Sequence, residues 1–194
     1  MIAFIKKNRY FVIGAILILV IAGFLGFKIY QERIAASLDA ADGYDYAGID
    51  VANLPPLPEN IDELASRTED EWRDALSATE FRILRERGTE VPFTSPLDKE
   101  DRAGTYVSAD CGEPLFRSEQ KFDSGTGWPS FWAPISKDAI ALQEDGSFGV
   151  TRTEVIAPIC KSHIGHVFED APQTPTGLRY CLNGVALRFV PDEQ

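Results

Sequence analysis

The chain has 194 residues, of which 44% are hydrophobic and 25% are charged. This length supports one domain with a buried core, and the composition excludes collagen-like, low-complexity and wholly disordered proteins. The formal net charge is −11, although residues 1–30 contain basic side chains and no acidic ones. The rest of the chain is therefore strongly acidic, and a nucleic-acid partner is not expected because it would require a cationic surface.

An uncharged apolar run, YFVIGAILILVIAGFLGF, occupies residues 10–27. With its flanks it reaches the roughly 20 residues that cross a bilayer, so we predict a transmembrane helix over residues 10–30. A buried core helix is disfavoured because no polar face interrupts the run. A cleaved signal peptide is disfavoured because its apolar core is normally only about 7–15 residues long.

Positive charges decide the expected orientation of this helix. Lys6, Lys7 and Arg9 precede it and outnumber the basic residues that follow it closely. The positive-inside rule then places residues 1–9 in the cytoplasm and residues 31–194 outside it, which in a bacterium means the periplasm or the cell exterior.

Residues 31–69 follow as an acidic stretch that includes the proline-rich LPPLPEN. It shows no sustained apolar period of 2 or 3.6, so we predict a flexible linker. A globular domain is predicted over residues 70–192. Its first clear element is a short helix with a capping box, in which Ser77 is the N-cap and Glu80 lies at the third helical position, and which is expected to end at Gly88.

Beyond Pro92 the pattern favours short strands, separated by glycine, proline and aspartate. The predicted strands are Thr105–Val107, Ala139–Leu142, Gly149–Val155 and His166–Phe168. Near the C-terminus, LRYCL (178–182) and VALRFV (185–190) flank Asn183-Gly184. Asn-Gly is the preferred pair of a type I′ turn, so these two segments predict a β-hairpin.

Cys181 lies on the first strand of that predicted hairpin, two residues after Arg179. Residues two apart on a strand share a face, and a guanidinium beside a thiol favours the thiolate and lowers the cysteine pKa. From this local context alone, Cys181 is either a reactive thiol or a small buried hydrophobic residue, as most free cysteines are.

Six stretches occur together in the predicted globular domain. They are RERGTEVPFT (85–94), CGEPLF (111–116), FDSGTGWPSF (122–131), RTEV (152–155), SHIGHVFED (162–170) and GLRYCLN (177–183). In this order and spacing the chain resembles methionine-R-sulfoxide reductase B, from about Glu71 to Pro191. GWPSF, HxGHVF and RYCxN are each specific, and residues 1–69 lie outside the resemblance.

The resemblance implies a mainly β fold of two antiparallel sheets with short N-terminal helices, here preceded by the transmembrane helix. It also implies reduction of the R epimer of methionine sulfoxide, free or in proteins, to methionine. The family's catalytic nucleophile corresponds to Cys181, and its aromatic residue on the substrate's S-methyl group corresponds to Trp128. The pocket wall corresponds to His163, His166 and Phe168, and the polar residues around the thiol correspond to Asp170, Arg179 and Asn183.

The chemistry explains why these residue types are needed. A sulfoxide oxygen leaves only when it is protonated, so the site needs a thiolate, a proton donor and an apolar clamp for the methyl group. We expect His166 to donate the proton, because an imidazole titrates near neutral pH. A spacing of three on a strand puts His163 and His166 on opposite faces unless Gly165 kinks the chain, so at least one of them could instead be a zinc ligand or core packing.

The chain departs from the resemblance at the zinc site that many relatives carry. Their two CxxC pairs correspond here to Ser108 with Cys111 and to Ala157 with Cys160, so half of the ligands are missing. We therefore predict no zinc and no other cofactor. Because two thiolates of one zinc site lie close together, Cys111 and Cys160 are expected to form a disulfide, which an extracytoplasmic location permits.

A second departure concerns regeneration of the thiol. Thr126 stands where relatives of the two-cysteine type have a resolving cysteine. An external thioredoxin-like thiol is therefore the expected reductant, with Cys111 or Cys160 swinging inward as the alternative. Two other functions stay open: a non-catalytic module of the same fold that binds oxidised methionine or another small ligand, and a membrane-anchored assembly protein.

Overall fold

The structure is a computed structural model that describes residues 53–149 and 151–193. Residues 1–9, the predicted transmembrane helix over 10–30 and most of the predicted linker lie outside the described residues. Among the residues that are described, no helix combines the length and the apolar character needed to cross a bilayer.

Two antiparallel sheets form the body of the domain, with three short helices before them. The first sheet has the order β2-β1-β9, with β1 at Gly104–Ser108, β2 at Pro114–Arg117 and β9 at Leu187–Pro191. The second has the order β3-β4-β8-β7-β6-β5. Its strands are β3 (Lys121–Phe122), β4 (Ser130–Phe131), β5 (Ala141–Asp145), β6 (Arg152–Ala157), β7 (Ser162–Phe168) and β8 (Arg179–Leu182). The predicted mainly β fold with two antiparallel sheets is confirmed.

Aromatic side chains join the two sheets. The ring of Phe131 from β4 lies 4.8 Å from the ring centroids of both Tyr106 and Phe116, which belong to the first sheet. Phe116 also contacts Tyr180 of β8 at 5.6 Å. All four residues are buried, so Tyr180 and hence its neighbour Cys181 are held from behind by a packed core.

The helices are α1 (Ile61–Ser66), α2 (Glu69–Ala75) and α3 (Ala78–Leu84). The predicted capping box of α3 is present: the Ser77 hydroxyl accepts from the Glu80 amide, and the Glu80 carboxylate accepts from the Ser77 amide. The helix ends at Leu84, earlier than predicted, and Arg87 rather than Gly88 adopts a positive φ of 57°. The prediction that the helix ends at Gly88 is therefore wrong, and the left-handed backbone conformation expected of a glycine there is found at Arg87 instead.

The N-terminal boundary of the domain also differs from the prediction. Helix α1 and the first residue of α2 fall within residues 31–69, where a flexible linker was expected. Leu64 of α1 and Trp72 of α2 are buried in one apolar cluster with Cys111 and Cys160. Each of these short helices buries a single residue, too few for a periodic signal, so only the tertiary contacts show that the segment is folded.

The predicted hairpin at Asn183-Gly184 is wrong, because β8 and β9 belong to different sheets. Asn183 has φ −69° and ψ 120°, whereas a type I′ turn requires positive φ, and Gly184–Ala186 forms a 3-10 turn. The Glu90 carboxylate accepts from the amides of Gly184 and Val185 at 2.7 and 2.9 Å. This contact from a distant loop holds the corner and could not be inferred from local sequence.

Gly165 is required because the backbone of β8 lies very close to it. A Cβ atom at Gly165 would lie 2.2 Å from the backbone oxygen of Cys181 and 2.9 Å from Cα of Leu182. We expect Gly165→Ala to lower the free energy of unfolding by about 3 kcal/mol or more, because backbone must move. Urea denaturation measures this loss. Gly146→Ala, where a Cβ atom would meet nothing within 4 Å, serves as the control and should change stability little; equal losses would contradict the packing argument.

Candidate active site

A cavity of about 130 Å³ opens beside β7 and β8. Its walls include the thiol-bearing residue Cys181, an imidazole, two aromatic rings and a guanidinium. The lining residues are Thr89, Trp128, Arg152, Gly165, His166, Phe168, Cys181, Leu182 and Asn183. Five of the residues singled out from the sequence therefore meet around one cavity: Cys181, His166, Trp128, Phe168 and Asn183.

Strand pairing explains why the thiol and the imidazole face the same space. In the antiparallel register of β7 and β8, His166 lies opposite Cys181 and Phe168 lies opposite Arg179. Directly opposed residues project their side chains to the same face of a sheet. The sequence segments HVF and RYC are thus brought together by one ladder.

The thiol of Cys181 is half-buried and does not take part in a disulfide. Burial raises the pKa of Cys181, and the charge of Arg179 and a hydrogen bond with Thr126 only partly offset this. The sequence-based expectation of a lowered pKa is therefore wrong in its net direction. The effect of Arg179 has the expected sign, but the loss of water around a partly enclosed sulfur is larger.

Hydroxyl groups line the other side of the thiol. The Thr126 hydroxyl lies 4.0 Å from Sγ of Cys181 and 2.8 Å from the hydroxyl of Ser124, which in turn lies 2.7 Å from that of Ser130. Ser130 is the cross-strand neighbour of Cys181 in β4. Thr126 therefore places a polar, redox-inert hydroxyl at the position that a resolving cysteine would occupy in a relative of the two-cysteine type.

Arg179 is held in place by Asp170 and Phe168. Its Nε and Nη2 atoms donate to the two carboxylate oxygens of Asp170 at 2.9 and 2.7 Å. The guanidinium also lies over the Phe168 ring, 4.5 Å from its centroid. The hydrogen bonds from Arg179 lower the pKa of Asp170. Asp170 thus orients Arg179 beside the thiol.

A β-bulge in β7 determines where the two histidines point. Val155 of β6 pairs with Gly165 and Ile156 pairs with His163, so Ile164 is an extra residue in the ladder. The bulge cancels the alternation expected for a spacing of three, and the His163 and His166 ring centroids lie only 5.3 Å apart. Both histidines are buried.

The two histidines nevertheless have different surroundings. Nε2 of His166 lies 2.8 Å from a carboxylate oxygen of Asp145, and burial lowers the pKa of His166 despite that carboxylate. His163 lines a separate cavity of about 320 Å³, where its Nδ1 lies 2.7 Å from the carboxylate of Glu154. That carboxylate also binds Arg87. His163, expected in the wall of the substrate pocket, thus sits one cavity away from Cys181.

Trp128 and Asn183 are both anchored to the Glu90 segment. The Trp128 indole N–H donates to the backbone oxygen of Glu90 at 3.3 Å. The Asn183 side-chain oxygen accepts from the Glu90 amide at 3.0 Å, and its NH₂ group donates to the backbone oxygen of Ile164 at 3.3 Å. The Asn183 side chain therefore fixes the chain after Cys181, and Trp128 lines the cavity with its indole N–H anchored to Glu90.

Away from this cavity, the structure joins Cys111 and Cys160 in a disulfide. Ser108 and Ala157 stand where zinc-binding relatives were expected to have their other two cysteines. The Ser108 hydroxyl accepts from the Cys111 amide at 3.2 Å, and the Ala157 side chain has no atom that can bind a metal. The Asp110 carboxylate lies near both sulfurs but is engaged by Ser162. Arg85 also approaches it, at 3.9 Å.

Sequence reasoning missed three residues that shape this region: Asp145, Arg152 and Glu90. Asp145 and Arg152 lie on β5 and β6 and meet His166 only through the sheet register. The turn-forming sequence Asp145-Gly146-Ser147 is the one local signal near them, and it predicts a turn rather than a contact with a histidine.

A thiol and an imidazole on directly opposed residues of adjacent strands, in a cavity that two aromatic residues also line, are the groups that a cysteine-dependent enzyme requires. The SelR domain family model matches residues 76–191. Because this match covers more than half of the chain, the chain belongs to the SelR domain family.

Curated relatives agree with this assignment. The chain is 49% identical over 129 residues to the peptide methionine sulfoxide reductase MsrB of Leifsonia xyli, which covers 66% of this chain and 93% of that protein. The MsrB proteins of Hahella chejuensis and Acinetobacter baylyi are each 50% identical, over 63% and 66% of this chain and over 88% and 92% of their own lengths.

Proposed function

We propose that the chain reduces methionine-R-sulfoxide to methionine, with Cys181 as the nucleophile. The observation that carries this proposal is the placement of Cys181 opposite His166 in one cavity that Trp128 and Phe168 also line. Relatives at about half identity that bear the name peptide methionine sulfoxide reductase support the same reaction.

In the proposed reaction the Cys181 thiolate attacks the sulfoxide and the sulfur–oxygen bond of the substrate breaks. The oxygen becomes the hydroxyl of a sulfenic acid on Cys181, and the substrate leaves as the thioether methionine. The sulfur of Cys181 is thereby oxidised and the sulfur of the substrate is reduced. The thiol lost one proton on becoming a thiolate, and one proton from the site ends on the oxygen of the sulfenic acid. His166, buried beside the cavity, supplies that proton to the sulfoxide oxygen.

Three other side chains support this step. Arg179, oriented by Asp170, stabilises the thiolate against the burial that disfavours it. Trp128 and Phe168 offer apolar faces for the S-methyl group. With Cys181 at the sulfur, His166 at the oxygen and these rings at the methyl group, three contacts to the chiral sulfoxide are defined, so this arrangement favours a single epimer.

The sulfenic acid must then be reduced. Thr126 cannot form a disulfide with Cys181, and Cys111 and Cys160 are already bonded to each other. We therefore propose that an external dithiol of thioredoxin type reduces Cys181: its first thiol forms a mixed disulfide and releases water, and its second thiol releases the Cys181 thiol. Cys111 and Cys160 act as a structural cross-link in this scheme.

We also propose that the domain holds no structural zinc. A structural zinc site normally needs four ligands, and Ala157 supplies none while the two cysteine sulfurs bind each other. The reaction of Cys181 requires no metal, because the thiolate is the nucleophile and histidine the acid.

The location of the enzyme is a further part of the proposal. The uncharged run at residues 10–27 and the basic residues before it support a membrane anchor, with the reductase domain outside the cytoplasm. A disulfide between Cys111 and Cys160 is consistent with an oxidising compartment. The substrates would then be oxidised extracytoplasmic proteins.

Turnover of separated sulfoxide epimers tests the proposed reaction. With dithiothreitol as reductant, the enzyme should convert a peptide that contains methionine-R-sulfoxide and leave the S-sulfoxide peptide unchanged. Binding of the R-sulfoxide peptide without turnover would instead support the non-catalytic module, and preference for the S epimer would overturn the proposed fit.

The pH dependence follows from the two shifted pKa values. Burial lowers the pKa of His166 below 6.5 and raises that of Cys181 above 9.0, while the active form carries a protonated imidazole and a thiolate. Below the His166 pKa the imidazole is already protonated, so a rise in pH only increases the fraction of Cys181 that is ionised. Above the Cys181 pKa the thiol is already ionised, so a rise in pH only removes the remaining imidazolium. We expect kcat/KM to rise at acid pH, stay level between the two values and fall at alkaline pH. A profile that rises continuously through pH 9 would contradict the role of His166 as acid.

A further inference from the structure

Asp145 is a buried carboxylate at the end of β5, only 7% exposed. One oxygen accepts from the Ser147 amide at 2.9 Å. The other lies 2.8 Å from Nε2 of His166 and accepts from Nη2 of Arg152 at 2.7 Å. The carboxylate is therefore fixed from three sides by two strands and a turn.

The protonation of this cluster follows from its hydrogen bonds. Burial alone would raise the pKa of Asp145, but hydrogen bonds from Ser147 and His166 and the charge of Arg152 outweigh it and hold that pKa below its ordinary range. An ionised carboxylate can only accept hydrogen bonds, so Nε2 of His166 must carry the hydrogen. This leaves Nδ1 as the ring nitrogen available to a bound substrate.

We propose that Asp145, clamped by Arg152, is a positioning residue that fixes the tautomer and ring orientation of His166 beside Cys181. This inference rests on the proposed function of the Cys181 cavity. It assigns to β5 and β6, at the far edge of the sheet, a part in the reaction that takes place between β7 and β8.

Arg152 gives the cluster a second property. Its guanidinium lines the Cys181 cavity and binds both Asp145 and the Ser147 hydroxyl. The carboxylate favours the imidazolium form of His166, whereas the guanidinium disfavours it. Removal of either partner should therefore move the titration of His166, and the two movements should have opposite signs.

Other charged groups around His166 set the background for this effect. They are Asp145 from β5, Arg152 and Glu154 from β6, His163 within β7, and Cys181 from β8. Because Glu154 is bound by His163 and Arg87, Asp145 is the carboxylate in direct contact with the His166 ring.

Nuclear magnetic resonance of the imidazole nitrogens tests the proposal directly, since the chain contains only two histidines. In the full chain labelled with ¹⁵N-histidine, His166 should carry its proton on Nε2 when neutral. Asp145→Ala removes the acceptor, so it should disturb this tautomer and lower the His166 pKa, and Arg152→Gln should raise the pKa. A His163→Asn sample assigns the signals. An unchanged tautomer in Asp145→Ala, or pKa shifts of the same sign in both variants, would overturn the proposal.

Kinetics provide a second readout. Asp145→Ala should lower kcat at least about tenfold with KM changed less than about threefold, because a misoriented proton donor affects the chemical step. The control is Asp138→Ala, at an exposed carboxylate before β5, which should match the wild type. Thermal unfolding shows whether each variant is folded. If the wild type itself fails to reduce methionine-R-sulfoxide, the proposed function fails, while the resonance experiment still decides the role of Asp145.

Discussion

Replacing Cys181 by serine is expected to lower turnover of methionine-R-sulfoxide about 10⁴-fold or more, because a hydroxyl at this position is not ionised and is a far weaker nucleophile than a thiolate. Serine closely matches cysteine in shape, and the position is only half-buried, so the fold should persist. Steady-state turnover with dithiothreitol measures the loss, and a circular dichroism spectrum shows whether the variant is folded.

The matched control removes the other two cysteines. The chain has three cysteines, so in a Cys111→Ser, Cys160→Ser double variant Cys181 is the single cysteine that remains. The double variant should retain turnover at temperatures where it is folded. Substantial activity in Cys181→Ser, or loss of activity in a folded double variant, would assign the chemistry to the wrong sulfur.

The same double variant should be markedly less stable than the oxidised wild type. The Cys111–Cys160 bond closes a loop with a sequence separation of 49, and in the chain-entropy model this contributes about 4 kcal/mol to the free energy of unfolding. Both sulfurs lie in the apolar cluster that packs Leu64, Trp72 and Phe81 of the helices, so a polar replacement also weakens that packing.

Denaturant unfolding of the oxidised wild type and the double variant measures this difference. A Cys111→Ala, Cys160→Ala variant separates the cross-link from the burial of polar hydroxyls, since alanine adds none. We expect the alanine pair to lose most of the same free energy. A loss below about 1 kcal/mol would mean that the cross-link does little to constrain the unfolded chain.

The sequence pointed to several residues of the candidate site because they occur in short, specific motifs. Cys181, Trp128, His166 and Phe168 were each singled out and lie around one cavity. The antiparallel sheets were likewise expected from the resemblance. What the sequence could not supply was the pairing of strands, because register depends on contacts between residues far apart in the chain.

Two errors show the same limit from opposite sides. The Asn183-Gly184 pair is typical of a hairpin turn. The Glu90 carboxylate nevertheless binds the Gly184 amide, and the chain continues into β9 of the other sheet. The segment around Leu64, predicted as part of a flexible linker, carries a weak signal, yet it folds onto the Cys111–Cys160 bond. In both places tertiary contacts outweighed local preference.

The electrostatic predictions failed where burial mattered. Arg179 was expected to lower the Cys181 pKa, and it acts in that direction, but desolvation dominates. The extra residue Ile164 in the β7 bulge likewise brings His163 and His166 to one side, which a count of residues along an ideal strand could not show. The sequence of this segment alone shows neither the burial nor the bulge, because both depend on the strands that pack against it.

A single-turnover experiment tests the role of Cys181 most directly. Enzyme that has Cys181 as a free thiol and the Cys111–Cys160 disulfide intact, mixed with excess methionine-R-sulfoxide and no reductant, should release one methionine per chain, since Cys181 is the one cysteine outside the disulfide. A dimedone adduct on the peptide that contains Cys181 should appear in equal amount. Release of methionine without that adduct, or an adduct on Cys111 or Cys160 instead, would contradict the account.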